Sequence, residues 1–150
     1  MPNWAEGTFK LRGRRENIKS FLKEIFRSDD VTISEEMDDQ ALILTLTSIN
    51  SYFYINNTKR AFIDKNKIEV LLEEDFEIIE IDDFKQAWCV FPENYQEFSK
   101  KYNVDIKIFV FEQGLQFTQE IEIVDGQITK NETKKYCDYQ WDVPFSKLGG

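Results

Sequence analysis

Apolar and polar positions alternate along much of this chain, and two stretches switch to a helical period. Thr8 to Arg12 reads as a strand, with Phe9 and Leu11 on one side and Thr8, Lys10 and Arg12 on the other. Gly13 then acts as the expected N-cap of a helix from about Arg14 to Arg27. Within it Ile18, Phe21, Leu22, Ile25 and Phe26 recur at i, i+3, i+4, i+7 and i+8 and share one face. Glu16 sits in the first turn, where an acid favours the helix start, and Ser28-Asp29-Asp30 is a stop.

The middle of the chain predicts antiparallel strands. Leu42, Leu44 and Leu46 share a face within Ala41 to Thr47, and Ser51 to Ile55 is a strand rich in aromatics. Asn56-Asn57 reads as a turn, and Ile68, Val70 and Leu72 alternate again. From Phe76 to Ile81 the apolar phase shifts between Ile78 and Ile79, which predicts a bulge or an edge there.

The pattern is sharpest from Ala87 to Ile128. Ala87 to Phe91 reads as a strand buried on both faces, and Pro92 opens a helix with a Tyr95, Phe98, Tyr102 stripe. Ile106, Ile108 and Val110 point inward on the next strand. Gln113-Gly114 turns the chain, with Gly114 as the residue expected at positive φ, and Phe117, Ile121 and Ile123 share the face of Gln116 to Val124. Asp125-Gly126 is a hairpin signal, and Cys137, Tyr139 and Trp141 alternate on an expected final strand. Trp88, Tyr95, Phe98 and Phe117 are expected in the core. The whole reads as one domain over 1–150: an α+β, ferredoxin-like sandwich, mostly antiparallel, with two helices on one sheet face. Extra hairpin strands form an acidic β insertion at about 29–83.

Composition narrows the chemistry. The chain has 150 residues and no histidine, so Ser–His–Asp and Cys–His nucleophilic sites and nearly all common zinc sites are excluded. Neither G-x-x-x-x-G-K-[ST] nor G-x-G-x-x-G occurs. Cys89 and Cys137 are far apart without metal-type spacing and read as reduced thiols. No segment approaches the ~20 apolar residues of a membrane helix, and MPNWAEGTFK lacks the pattern of a secretory signal. A cytoplasmic protein with no membrane partner and no cofactor is the expectation.

Charge is uneven within the net −9. Residues 1–27 hold seven basic and three acidic side chains, whereas residues 28–83 hold four basic and fifteen acidic. Residues 69–83 alone carry eight acids and no base. This run is either a solvated face or an acidic docking surface. In the second reading Glu73, Glu74, Asp75, Asp82 and Asp83 bind a basic partner by standing in for phosphates. A calcium-loop pattern is missing, and no metal ligands are assigned. The basic group Lys10, Arg12, Arg14 and Arg15, with Lys19, Lys23 and Arg27, supports an alternative: binding of RNA or single-stranded nucleic acid. The plainer account of these bases is the polar back of a helix paired with the acidic middle of the chain. Asp125 with Glu132-Thr133-Lys134 has the acid, acid-x-Lys spacing of metal-dependent nucleases, a very common pattern.

MPNWAEGT, the junction Ala87-Trp88-x-Val90-x-Pro92, the F-E-x-G-x-x-F run (Phe111, Glu112, Gly114, Phe117) and the final LGG form a recognisable set. With these motifs the chain resembles a family of small phage- and plasmid-borne proteins whose C-terminal part is a YubB-like ferredoxin-like domain. The resemblance spans most of the chain and matches least over 29–83. It implies a mobile-element origin and a ferredoxin-like core, and it brings no catalytic residues. The expectation that follows is a non-enzymatic acidic protein that occupies the basic channel of a host defence protein, such as a CRISPR effector or a restriction enzyme.

Overall fold

Strand β1 (Trp4–Arg14) forms the spine of the molecule in a computed structural model that describes residues 1–150. Ala5, Gly7, Phe9, Leu11 and Gly13 point inward and are buried, while Lys10 and Arg12 face away. Around it run α1 (Arg15–Ile25), β2 (Val31–Asp38), β3 (Ala41–Ser48), β4 (Phe53–Ile55), β5 (Thr58–Ile63) and β6 (Lys67–Leu72). There follow β7 (Phe76–Ala87), α2 (Glu93–Tyr102), β8 (Asp105–Glu112), β9 (Phe117–Val124), β10 (Gln127–Lys135) and the short α3 (Tyr139–Asp142).

The chain is α+β, and every strand pair is antiparallel. One sheet has seven strands in the order β10-β9-β8-β1-β7-β5-β4, and the other has three in the order β2-β3-β6. Residues read together as an acidic insertion therefore divide. Residues 31–48 and 67–72 form the small sheet, 53–63 supply the edge of the large one, and 76–83 are the first part of β7.

A single core of 28 residues joins both sheets to α1 and α2. Phe9 is its hub: its ring lies 6.3 Å from Phe21 of α1, 5.6 Å from Phe84 of β7 and 5.5 Å from Tyr95 of α2. Leu42, Leu44, Leu46, Ile68, Val70 and Leu72 are buried as their alternation predicts. So are Ile18, Phe21, Leu22 and Ile25 on one face of α1. The hairpin turns also follow the sequence, since Asn56 and Asn57 (φ 50° and 57°) and Asp125 and Gly126 (φ 52° and 72°) all take left-handed backbone.

Five local expectations are corrected. Helix α1 is capped by Arg14 rather than Gly13; Gly13 is instead where β1 crosses close to Asn103 and Val104. The bulge in β7 falls at Asp82–Asp83, where the pairing with β1 jumps from Gly7–Phe84 to Phe9–Ile81. Two residues there oppose one, and Asp83 takes φ 60°. The apolar pair Ile78-Ile79 runs through as regular strand, because Ile78 faces outward and stays exposed.

The third correction concerns Ala87 to Phe91, which does not continue as a strand. Trp88 adopts φ 68°, the chain leaves the sheet, and Trp88 is 46% exposed rather than in the core. The Gln119 amide holds this loop: Val90 N–H donates to Oε1 at 2.8 Å, and Nε2 donates to the Val90 carbonyl at 2.8 Å. Tyr95 and Phe117 are buried as expected. The positive φ after β8 belongs to Gln116 (62°), not Gly114, whose missing Cβ makes room for Asn3 and the Glu112 carboxylate. Last, Cys137 to Trp141 forms no strand. Tyr139 alone of the three is buried, at the start of α3, and Trp141 is 85% exposed.

Candidate acidic docking surface

The three-stranded sheet ends in two acidic turns that lie side by side. Met37, Leu42 and Leu72 stand abreast across β2, β3 and β6. Just beyond them, β2 turns through Asp38 and Asp39 (φ 59°) into β3, and β6 leaves through Glu73, Glu74 and Asp75 into β7. The outer strands of such a sheet are about 10 Å apart. Asp38, Asp39, Glu73, Glu74 and Asp75 are all exposed.

Backbone hydrogen bonds fix this end. Arg15 N–H donates to the Asp75 carbonyl at 2.9 Å, and the Arg15 guanidinium reaches the Gln40 carbonyl in the neighbouring turn at 2.5 Å. The Glu77 carboxylate accepts the N–H groups of Glu73 at 3.0 Å and Glu74 at 2.7 Å. It thereby folds the acidic turn back on itself. Three large apolar side chains near this end are exposed, Met37 (57%) on the sheet face of Leu42 and Leu72, Leu71 (50%) on the opposite face with Ile43, and Phe76 (59%) at the start of β7.

None of Glu36, Asp38, Asp39, Glu73, Glu74 or Asp75 joins an ion pair, although twelve ion pairs occur elsewhere. Two like charges ~10 Å apart in water repel by about 0.4 kcal/mol. The fold tolerates several such pairs, and an approaching cation relieves all of them together. Acids next to α1 differ. Glu35 lies 2.8 Å from Lys23 and 3.5 Å from Lys19, and the hydrogen bond from Lys23 holds its carboxyl below the usual range.

Asp82 and Asp83 are not part of this surface. They sit at the β7 bulge, seven residues or about 23 Å of strand beyond Asp75. There the Asp83 carbonyl accepts Asp64 N–H at 2.9 Å, and its carboxylate lies 3.7 Å from Lys65. The five predicted acids thus fall into two groups, and Asp38 and Asp39 complete the first. The sequence held a signal for that pair, a two-acid turn between alternating stretches, which an inspection confined to the run 69–83 misses.

The predicted basic residues are distributed differently. Lys10 lies 3.9 Å from Glu80, and Arg12 donates through Nε and Nη2 to one Asp105 oxygen at 2.9 and 2.7 Å. Arg15 serves the acidic turns, and Arg14 is exposed opposite Phe76. Lys19, Lys23 and Arg27 pair with Glu16, Glu35 and Glu24. Lys10, Lys19 and Lys23 reach acids of the middle of the chain, Glu80 and Glu35, whereas Arg12 and Arg27 pair with Asp105 and Glu24 outside it.

No group of three His, Cys, Asp or Glu side chains converges closely enough to hold a metal ion. Asp125 occupies the β9–β10 turn, whereas Glu132 faces Glu120 well up the hairpin, roughly 17 Å away by strand rise. Glu112, at the start of the turn after β8, is fully buried and accepts the N–H groups of Gly114 and Leu115 at 2.6 and 2.9 Å. It builds that turn. Burial pushes the half-buried Cys89 thiol up. A groove of about 820 Å³ opens between α2 and the β4–β5 hairpin, lined by Trp88 and Phe91 and by the charged residues Arg60, Glu93, Glu97 and Lys101. No helix is long and apolar enough to cross a membrane.

No protein-family model matches this chain, and neither a curated protein nor a solved structure is detectably similar to it.

Proposed function

We propose that this chain is a non-enzymatic binding protein whose acidic sheet end engages a basic protein surface in place of nucleic-acid phosphates. One observation carries the reading: Asp38 and Asp39 beside Glu73, Glu74 and Asp75 form an exposed group of carboxylates none of which joins an ion pair. The exposed Met37 beside these turns supplies apolar area that water leaves favourably on docking. Carboxylates steer association with a basic channel. The resemblance to phage- and plasmid-borne proteins favours a host defence protein, a CRISPR effector or a restriction enzyme, as that partner. The strand order β8-β1-β7-β5, with α1 after β1 and α2 after β7, supports a ferredoxin-like frame that carries the small sheet as an addition.

The test is capture of proteins from a bacterial lysate by the tagged chain and by a variant with Asp38→Asn, Asp39→Asn, Glu73→Gln, Glu74→Gln and Asp75→Asn. A basic nucleic-acid-binding protein should be retained by the parent, lost in high salt and lost by the variant. A partner retained equally by both sinks the proposal. Asp82→Asn with Asp83→Asn is the matched control and should bind as the parent does.

A further inference from the structure

We infer that the solvent-facing side of the β4–β5 edge is a second binding site, a stacking platform for single-stranded nucleic acid. It rests on residues separate from the acidic turns and stands independently of them. Four aromatic rings from three segments meet there. Trp4 lies edge-on to Phe62 at 5.2 Å, Phe62 is 6.0 Å from Tyr52, and Tyr52 is 4.7 Å from Tyr54.

These rings are not the core. On β4 and β5 the core is served by Phe53, Ile55, Ala61 and Ile63, which are buried, whereas Tyr54 and Phe62 point the other way and are half-buried. Trp4 and Phe62 come from strands on either side of β7, and the β7 residue opposite Trp4 is Ala87. A small side chain at that place lets the rings meet across an intervening strand. Trp4 is also fixed through its backbone, which pairs with Gly150 in both directions at 3.3 and 2.8 Å. The platform is therefore preorganised, and binding need not order it.

Charge complementarity selects the occupant. Lys59 and Arg60, next to these rings on β5, are exposed and join no ion pair. Lys59 and Asp30 both lie within electrostatic reach of the Tyr52 hydroxyl: the adjoining Tyr54 hydroxyl pushes it up, Asp30 adds to that, and Lys59 pulls it back. Unpaired cations beside a row of rings match a chain that alternates phosphates with π-faces. Only a single strand offers both, because a duplex hides its base faces. Of the bases predicted from the N-terminal strand, Lys10 and Arg12 pair with Glu80 and Asp105, whereas Lys59 and Arg60 join no ion pair.

The experiment is a titration of the full chain with a labelled oligouridylate of about 12 nucleotides, which spans a site of this kind. Salt is held near ~50 mM so that phosphate contacts register. Polarisation of the label and quenching of tryptophan emission are followed together. Saturable binding with quenching is expected. Lys59→Glu with Arg60→Glu should weaken it at least about tenfold, and Tyr52→Ala with Tyr54→Ala should do likewise. The exposed charge pair carries the test if the tyrosine variant melts early. The Glu73→Gln, Glu74→Gln, Asp75→Asn variant should bind at least as tightly as the parent.

Absence of binding at high micromolar protein overturns the inference. Equal affinity for a duplex of the same length also overturns it, because stacking then plays no part. Binding unmoved by the Lys59 and Arg60 reversals does the same. If the tyrosine variant loses a captured protein while no oligonucleotide binds, the face belongs to a protein and the inference is wrong.

Discussion

The N–H of Arg15 donates to the carbonyl of Asp75 at 2.9 Å, so the first residue of α1 is held by the acidic turn rather than by a side-chain cap. The same residue reaches the other acidic turn through its guanidinium and the Gln40 carbonyl. One basic residue thereby fixes the relative position of two loops that carry five exposed acids. It spends its hydrogen bonds on carbonyls and leaves the carboxylates unmatched.

Arg15→Ala keeps the N–H bond and removes the guanidinium. Loss of one exposed, charge-assisted hydrogen bond should cost about 1 kcal/mol. In a chain of this length that lowers the melting temperature by about 2–4 °C. A melt followed by circular dichroism checks it. The variant should also regain stability in salt more steeply than the parent, because the acidic turns lose the cation that lies between them. An unchanged melt would show that the guanidinium contact contributes nothing.

Gln119→Leu tests the clamp on the loop after β7. The amide forms a two-way hydrogen bond with Val90, a buried residue, in the manner of a strand pair. Leucine matches the volume but leaves the Val90 N–H and C=O unpaired, at a cost of about 2–3 kcal/mol. Urea denaturation should show the midpoint fall without a change of slope. Faster hydrogen exchange at the Val90 amide should accompany it, and exchange at Ile108 should change only with global stability.

Much of the fold was legible because alternation and helical periodicity are set by which side chains leave water. Leu42, Leu44 and Leu46 of β3, the Ile18–Ile25 face of α1 and the Asp125-Gly126 hairpin all follow from that rule. The misreadings arise where the rule has no purchase. The apolar run Ala87–Phe91 looks like a buried strand, but the left-handed backbone at Trp88 and the remote Gln119 divert it, and neither is visible locally. The bulge is set by a pairing partner, β1, about seventy residues away in sequence. For the site, a count of acids along the chain found Glu73 to Asp75. Only the register of β2, β3 and β6 brings Asp38 and Asp39 beside them and removes Asp82 and Asp83.

Glu35 gives a pH dependence of known sign. Its folded pKa lies below the ordinary 4.5 because Lys23, and then Lys19, favour the carboxylate. A group with a depressed folded pKa stabilises the fold above its unfolded value, and that contribution is lost as pH falls through the folded one. Both partners are substantially exposed, so the contribution stays under about 1 kcal/mol. Glu35→Gln should therefore be slightly less stable than the parent near neutrality. The gap should close as the solution is acidified below the ordinary carboxylate value. Denaturant midpoints across that range provide the check, and a gap that persists in acid assigns the loss to packing.

The uncompensated charge at the sheet end can be measured without any partner. Glu73→Gln with Glu74→Gln removes two carboxylates that repel Asp38, Asp39 and Asp75 and makes no change to an ion pair. At low ionic strength the variant should be more stable by up to about 1 kcal/mol, a few repulsions of ~0.4 kcal/mol each. At about 1 M salt the Debye length shrinks to ~3 Å and the difference should vanish. Asp83→Asn supplies the contrast, since Asp83 faces Lys65 at 3.7 Å. Its removal should leave stability unchanged or slightly lower at low salt. If both variants gain stability alike, the repulsion comes from net charge spread over the whole chain, and the acidic turns are an ordinary solvated face. If only the first gains, the turns hold a local excess of negative charge that a basic partner would neutralise.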